Sequence, residues 1–281
     1  MIPQLALHLY KEEEKKKPRH HGHTYAMFEK YDGWYGYRDT NSPICSRQCR
    51  EIPSLAKFSK ELMFTVRGRL IFEILLSDID DFHTMNGVLN RSKGECEAKT
   101  AYLRVHDFIP LGCEEMPFFE RYESACKMVY AMNNPRVIMA PKIGVHHRPE
   151  VWKNCVDQIW YNGGEGIILK RTDAPYSPGK RTFDLMKIKE EVTLDLVVIG
   201  MAIGEGKYAD TLGSLIVSDK SGNHHNVSGM SDPERFDWWD CPAKIIGKVV
   251  EVKAMKKLKD GTLREPRFKA VRFDKTVQDI D

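Results

Sequence analysis

The chain has 281 residues, 42% of them hydrophobic and 30% charged, and 43 Lys and Arg against 40 Asp and Glu leave a net charge of +3. Such a composition reads as globular, not disordered or membrane-spanning, and suits one large domain or two smaller ones with a real core. So small a surplus carries no argument for nucleic acid, and no run of about 18 apolar residues marks a membrane-spanning helix. The start, MIPQLALHLYKEEEKKK, lacks the basic, apolar and small-residue regions of a secretory signal. The seven cysteines, Cys45, Cys49, Cys96, Cys113, Cys126, Cys155 and Cys241, are scattered without a CxxC pair. They read as reduced thiols, so a cytoplasmic protein is expected, or one of the host cytoplasm if the chain is viral.

In chain order, residues 11–23 are a mixed-charge stretch ending in RHHGH, expected to be solvated and poorly ordered. Residues 25–29 and 34–38 alternate as short strands, joined at Asp32-Gly33, a tight-turn dipeptide. Residues 52–62 begin at Pro53 and carry apolar residues at helical spacing. Strands are expected over 69–76 and 102–109, helices over 117–132 and 149–161, and strands again over 166–171 and 182–189. After Glu191 the pattern changes to short strands at close spacing, over 194–203, 212–219, 223–227, 246–255 and 268–273, with a second turn signal at Asp260-Gly261. The first part reads as mixed α and β layers and the second as a small barrel, with the boundary near 189–193.

Several residues carry chemistry. Lys30 lies at the lip of the first hairpin, in EKYDGWYGYRD; it is either an exposed charge or a nucleophile, which would need cations or desolvation nearby. Lys187 and Lys189 lie two apart on a strand and so share a face, as a phosphate site requires. Glu73 in LIFEILL and Glu165 in NGGEGIILK are carboxylates within or beside apolar strands. Each needs a partner, either a salt bridge or a divalent ion. The glycines at 163, 164 and 166 form no Walker-type loop, because no GKS or GKT follows. Near the C-terminus Lys253, Lys256, Lys257, Lys259, Arg264, Arg267, Lys269, Arg272 and Lys275 gather on an expected hairpin. They suit a nucleic-acid backbone or a lysine-protected strand edge.

Taken in order, these elements resemble the covalent nucleotidyltransferases, specifically the compact ATP-dependent DNA ligases of bacteriophages. Lys30-Tyr31-Asp32-Gly33 resembles the KxDG adenylylation motif. Ser46-Arg47 with Ile52-Pro53, and Phe72-Glu73, resemble the next two. His106, in Val105-His106-Asp107-Phe108, sits where a nucleobase-stacking aromatic is expected. Residues 165–170 are similar to EGIxxK, Met186-Lys187-Ile188-Lys189 to KxK, and 261–268 with Arg272-Phe273-Asp274-Lys275 to the closing segment. The resemblance spans about residues 24–275.

That resemblance implies an α+β nucleotidyltransferase, an ATP-grasp-like adenylylation core over 1–190, followed by an OB-fold β-barrel over 191–281. It implies sealing of 5′-phosphate/3′-hydroxyl nicks in duplex DNA, using ATP with Mg²⁺ or Mn²⁺, by a monomer that acts away from membranes. Lys30 would take AMP. Lys187 and Lys189 would neutralise the α-phosphate. Glu73 and Glu165 would hold the metal, with Asp32 helping to place it or the reacting hydroxyl. Arg47 would grip the ribose or the nick phosphate, and His106 would stack on the base. Arg272, Asp274 and Lys275 would orient pyrophosphate as the barrel closes over ATP. Lys256, Lys257, Lys259, Arg264 and Arg267, with Arg47, would contact DNA. The alternatives are an RNA ligase, an mRNA-capping guanylyltransferase, or a non-catalytic nucleic-acid-binding relic. Where the family often has an arginine two residues after KxDG, Trp34-Tyr35 fill the stretch, leaving Arg38 or Arg47 as substitutes. Phe28 stands where an acid often lies two before the lysine.

Overall fold

A computed structural model describes residues 2–79, 82–92, 97–257 and 260–281. Its internal contacts divide the chain into two compact units, Met1–Lys189 and Glu190–Asp281.

The first unit runs β1 (Leu5–His8), α1 (Leu9–Glu13), β2 (Tyr25–Glu29), β3 (Trp34–Asp39), β4 (Ile44–Ser46), α2 (Ala56–Glu61), β5 (Gly68–Leu76) and α3 (Phe82–Leu89). It continues through β6 (Ala101–Pro110), α4 (Phe118–Met132), β7 (Val137–Met139), β8 (Lys142–His146), α5 (Pro149–Tyr161), β9 (Gly166–Arg171) and β10 (Arg181–Lys189). The strands form two five-stranded sheets, ordered β1-β10-β9-β2-β8 and β4-β3-β5-β6-β7. Strand alternation sorts their side chains. In the first sheet Tyr25, Met27, Ile167, Leu169 and Met186 bury themselves against Trp152 and Val156 of α5. Phe28, Ile168, Lys170, Lys187 and Lys189 are therefore turned to the opposite face. In the second sheet Leu70, Phe72, Ile74 and Leu76 join a core with Leu55, Phe58 and Leu103, which turns Ile71 and Glu73 away from it. The two polar-bearing faces are the walls of a cleft, joined where Phe28 meets Phe118 and Tyr122.

The helices follow local signals. Pro149 opens α5, where its missing N–H costs nothing. Asn133 ends α4 in the left-handed conformation, φ 47°. Residues 11–23 are largely exposed, as expected, but they are anchored by the elements before them and by two buried side chains. Just before them β1 adds in parallel to the edge of β10, and α1 follows with Leu9 in the core. Glu12 is fully buried, pairs with Lys15 and accepts from the Arg19 backbone N–H at 2.9 Å. His20 is buried against Trp152. A charge run can thus be fixed when its carboxylate satisfies the next turn's orphan donor.

The second unit runs β11 (Val192–Ile203), β12 (Leu212–Ser218), β13 (His224–Val227), α6 (Asp232–Asp240), β14 (Val249–Ala254), β15 (Lys256–Lys257), β16 (Leu263–Arg264) and β17 (Arg267–Val271). Its main sheet is antiparallel, ordered β13-β12-β11-β14-β17. The sheet is open where a barrel was expected: its two edge strands meet at one parallel bridge, Ser228–Arg267. Leu196, Val198, Leu215, Val217, Val250 and Val252 pack with Trp238 of α6 beneath it. The unexpected α6 begins with a capping box, Ser231 with Glu234. No helix among the described residues is long and apolar enough to cross a membrane.

Candidate active site

Lys30 leaves the end of β2 with its backbone N–H donating to the Gly166 carbonyl at 2.8 Å. Gly166 holds φ 147°, and a Cβ there would lie 2.1 Å from the Ile188 carbonyl oxygen, so only glycine lets β9 start this close to β10. Glu165, one residue earlier, is thereby delivered to Lys30, its Oε2 2.6 Å from Nζ. Gly33 does the same on the other wall: a Cβ there would meet the Ile74 oxygen at 2.6 Å and Glu73 Cγ at 2.7 Å. The tight turn after Lys30 therefore rests directly on β5 at Glu73. Sequence neighbours around two glycines thus bring together Lys30, Asp32, Glu73 and Glu165.

The electrostatics are those of a crowded cleft. Burial pushes the Glu73 carboxyl up to about 7, despite the pull of Lys30 and Arg47, while Glu165 and Asp32 push the same way as burial. Lys187 is brought down to about 8, first by burial and then by Lys189, Lys30, Arg47 and Arg181. Register explains the company: Lys187 and Lys189 of β10 pair with Ile168 and Gly166 of β9, beside Lys30. Arg47 is exposed just after β4 and lies over the Tyr35 ring at 5.2 Å.

Deeper in the cleft lies a buried ionic network. Lys170 Nζ donates to the His106 carbonyl at 2.9 Å and lies 3.1 Å from His106 Nδ1 and 3.3 Å from Asp107. Arg121 donates to Asp107 at 3.0 Å. Two consecutive residues reach one lysine because β6 bulges: Val105 and Asp107 face the adjacent Phe72 and Ile71, which leaves His106 as the extra residue. Burial pushes the Asp107 carboxyl up, but Lys170 and Arg121 outweigh it and hold it below the ordinary aspartate range. Burial and Lys170 push the His106 imidazole well below its usual range, so it is neutral, with Nδ1 accepting from Lys170. His106, Tyr35, Asp107 and Lys170 line a small cavity.

Other residues singled out from the sequence lie elsewhere. Arg38 is buried, donating to the Ser42 and Leu62 carbonyls and to Ser59, so Arg47 alone of the two candidate arginines faces the cleft cluster. Tyr35, not arginine, faces Glu73 across the ladder. In the second unit Arg272 donates to Asp195 at 3.1 Å and to Asp274 at 2.7 Å, and Lys275 reaches Asp195 at 2.5 Å. Lys257 pairs with Asp219 at 3.4 Å and Arg267 with Glu265 at 3.3 Å. Lys256 faces Arg264 in the β15–β16 ladder, and Lys259 lies outside the described residues. Asp195 and Arg104 escaped the sequence reading. The signal for Arg104 was its place two residues before His106 on a strand; for Asp195 there was none.

Among the described residues no three or more His, Cys, Asp or Glu side chains gather as a metal cage. Two carboxylates do suit Mg²⁺, which usually completes its shell with phosphate oxygens and water.

A sequence model of the ATP-dependent DNA ligase domain matches residues 10–189, and one of the DNA ligase OB-like domain matches 203–272. A DNA ligase of Haloferax volcanii is 36% identical over 148 residues, 42% of this chain and 25% of that protein. One of Methanocorpusculum labreanum is 37% identical over 178 residues, 52% of this chain and 33% of that protein. The matched part thus spans a quarter to a third of these relatives' length. A solved Lig E DNA ligase superposes with a TM-score of 0.75 at 22% identity, covering 96% of this chain and 98% of that one. The ATP-dependent DNA ligase of bacteriophage T7, in complex with ATP, superposes at 0.55 and 18% identity, covering 96% and 98%. At such identities the likeness is one of fold.

Proposed function

The chain belongs to the ATP-dependent DNA ligase family, and from that premise we propose that it seals nicks in duplex DNA through a covalent lysyl-AMP. What carries the reading is Lys30, ion-paired to Glu165 at 2.6 Å and facing Glu73, Lys187 and Arg47 in one cleft. In the first step the Lys30 amine attacks the α-phosphorus of ATP. A P–N bond forms, the bond to the β-phosphate oxygen breaks, and pyrophosphate leaves. The Glu165 oxygen at hydrogen-bond distance receives the proton that Lys30 gives up. Lys187 and Lys189 neutralise the α-phosphate oxygens as charge builds on them. AMP then passes to the 5′-phosphate of the nick, and the 3′-hydroxyl displaces it to join the strand.

Glu73 and Glu165, with Asp32 beside them, would hold Mg²⁺ or Mn²⁺, which supplies charge neutralisation at the phosphates. Arg47 grips the ribose or the nick phosphate, and His106 meets the base. In the second unit Arg272, Asp274 and Lys275 serve the pyrophosphate, while Lys256, Lys257, Arg264 and Arg267 meet the DNA backbone. The protein works as a monomer on nicked duplex.

The test is to incubate the protein, stripped of bound AMP with pyrophosphate, with α-labelled ATP or GTP and either metal, and to run a denaturing gel. A label from ATP alone, lost in Lys30→Ala together with nick sealing, is the expected result. A label from GTP alone would mean a capping enzyme, and no label at all would leave only a nucleic-acid-binding protein.

A further inference from the structure

The buried arginines of the fold each find at least one acceptor. Arg38 has three acceptors, Arg121 reaches Asp107 and the Met116 and Ala174 carbonyls, and Arg235 donates to the Leu212 and Gly213 carbonyls. Arg104 is different. Its Nε is buried without an acceptor, as is that of Arg235, but whereas Arg235 still donates through Nη1, the Arg104 side chain makes no hydrogen bond or ion pair among the described residues. What it does touch is aromatic: the guanidinium lies 5.6 Å from the ring centre of Tyr31 and 5.7 Å from that of Tyr102. Those rings hold the plane of the guanidinium and leave its N–H edge without work. A half-buried donor group left this way is a cost that a native structure ordinarily avoids.

Its position says what would relieve it. Arg104 is the β6 residue directly opposite Glu73 on β5. Directly opposed residues share a face, with their Cβ atoms about 5 Å apart. Arg104 therefore faces the cleft, against the residue that follows Lys30. On the other flank of Glu73, β3 presents Tyr35 with Arg47 over its ring. Glu73 thus stands between two arginine positions, and among the described residues Arg104 makes no ion pair with a carboxylate.

We infer that Arg104 binds a phosphoryl oxyanion on the β6 side of the cleft. The inference rests on the reading above, in which the cleft handles phosphates. That oxyanion belongs to the bound nucleotide or to the nicked strand, and the two partial reactions tell them apart. The guanidinium fork suits two phosphate oxygens, with its plane already set by Tyr31 and Tyr102.

The experiment compares wild type, Arg104→Gln and Arg104→Lys in single-turnover lysyl-AMP formation, and in AMP transfer from preformed lysyl-AMP to a nicked duplex. Thermal midpoints are recorded alongside. Arg104→Gln should slow one partial reaction by about ten- to a hundredfold, as loss of a hydrogen bond to a charged group does. Arg104→Lys should recover part of that loss, and the midpoint should stay within a few degrees. Loss in the first reaction assigns the oxyanion to ATP, and loss in the second to the DNA 5′-phosphate. Rates within twofold of wild type in both would overturn the inference while leaving the ligase reading intact. Wild-type protein that forms no lysyl-AMP would instead break the ligase reading. If Arg104→Gln does not fold, wild-type protein modified with phenylglyoxal answers in its place. Protection of Arg104 by ATP, pyrophosphate or nicked duplex supports the site, and equal modification with and without all three overturns it.

Discussion

The cations of the two units live in opposite company. In the first unit Lys187 shares a half-buried cleft with Lys189, Arg47 and the Glu165-paired Lys30, and burial first, then these neighbouring charges, bring it down to about 8. In the second, Arg272 and Lys275 share Asp195, Lys253 pairs with Glu191 at 2.5 Å, and Lys257 meets Asp219. Asp274 is held down at about 2, chiefly by its hydrogen bond from Arg272. Crowded like charges cost the folded protein stability, and an arriving phosphate repays that cost. Neutralised charges cost little, but must exchange one anion for another before they bind a phosphate. Under the proposed function the first arrangement would serve the reaction, and the second would hold its cations engaged until a phosphate competes for them.

The largest expected effect falls on the crowded side. Lys187→Ala should slow lysyl-AMP formation by roughly 10²–10³-fold, the usual effect of removing one preorganised charge partner of a developing oxyanion. Single-turnover labelling measures it, and a loss under threefold would mean that crowding does not signal function here. Next is the network that shapes the cleft floor. Asp107→Ala leaves Lys170 and Arg121 buried without their carboxylate, and should destabilise the first unit by about 3 kcal/mol in denaturant titration.

The pH dependence sharpens the same contrast. For kcat/KM with ATP, which reports the free enzyme, activity should fall as pH rises through about 8 while Lys187 discharges, and Lys187→Arg should move that limb upward. Stability runs the opposite way, rising with pH while activity falls. A folded value below the ordinary 10.5 means that the charged lysine opposes folding below about 8 and ceases to matter above 10.5. The stability advantage of Lys187→Met over wild type should therefore shrink across that window, as read by denaturant midpoints at a series of pH values.

Smaller effects belong to the second unit. Asp195→Asn should release Arg272 and Lys275 and change the KM for ATP severalfold, with little change in transfer from preformed lysyl-AMP. An unchanged KM would mean that this pairing is only structural. The smallest belongs to Lys257→Ala, which removes a charge already engaged by Asp219. It should weaken binding to nicked duplex by less than about threefold, since partly exposed pairs contribute little. A tenfold loss would show that the lysine leaves Asp219 for DNA.

Much of this was legible along the chain because it is local. Two-residue spacing in MKIK already turned Lys187 and Lys189 to one face, and Asp32-Gly33 marked the turn after Lys30, whereas the close approaches at Gly33 and Gly166 came only with the tertiary structure. The edge strands β1, β4, β7 and β8 were not legible, since three to five residues carry too little periodicity, and the partners of β1 and β8 lie far off in sequence. Nor was α6, where only Arg235 and Trp238 are buried.

By itself, the amino-acid order determined which residue types recur at strand and helix spacing, and so the motif residues and their faces. Only the tertiary structure decided which charges meet. It sent Arg38 into a set of carbonyls and Arg47 to Tyr35. It used a bulge in β6 to bring His106 and Asp107 to the same lysine. It set Arg104 opposite Glu73 and against Tyr31, with no acceptor for its buried Nε among the described residues. Periodicity is a property of neighbours in sequence, whereas the pairing of charges depends on register between strands 30 to 140 residues apart, such as β3 with β5 and β2 with β9, and no local pattern encodes it.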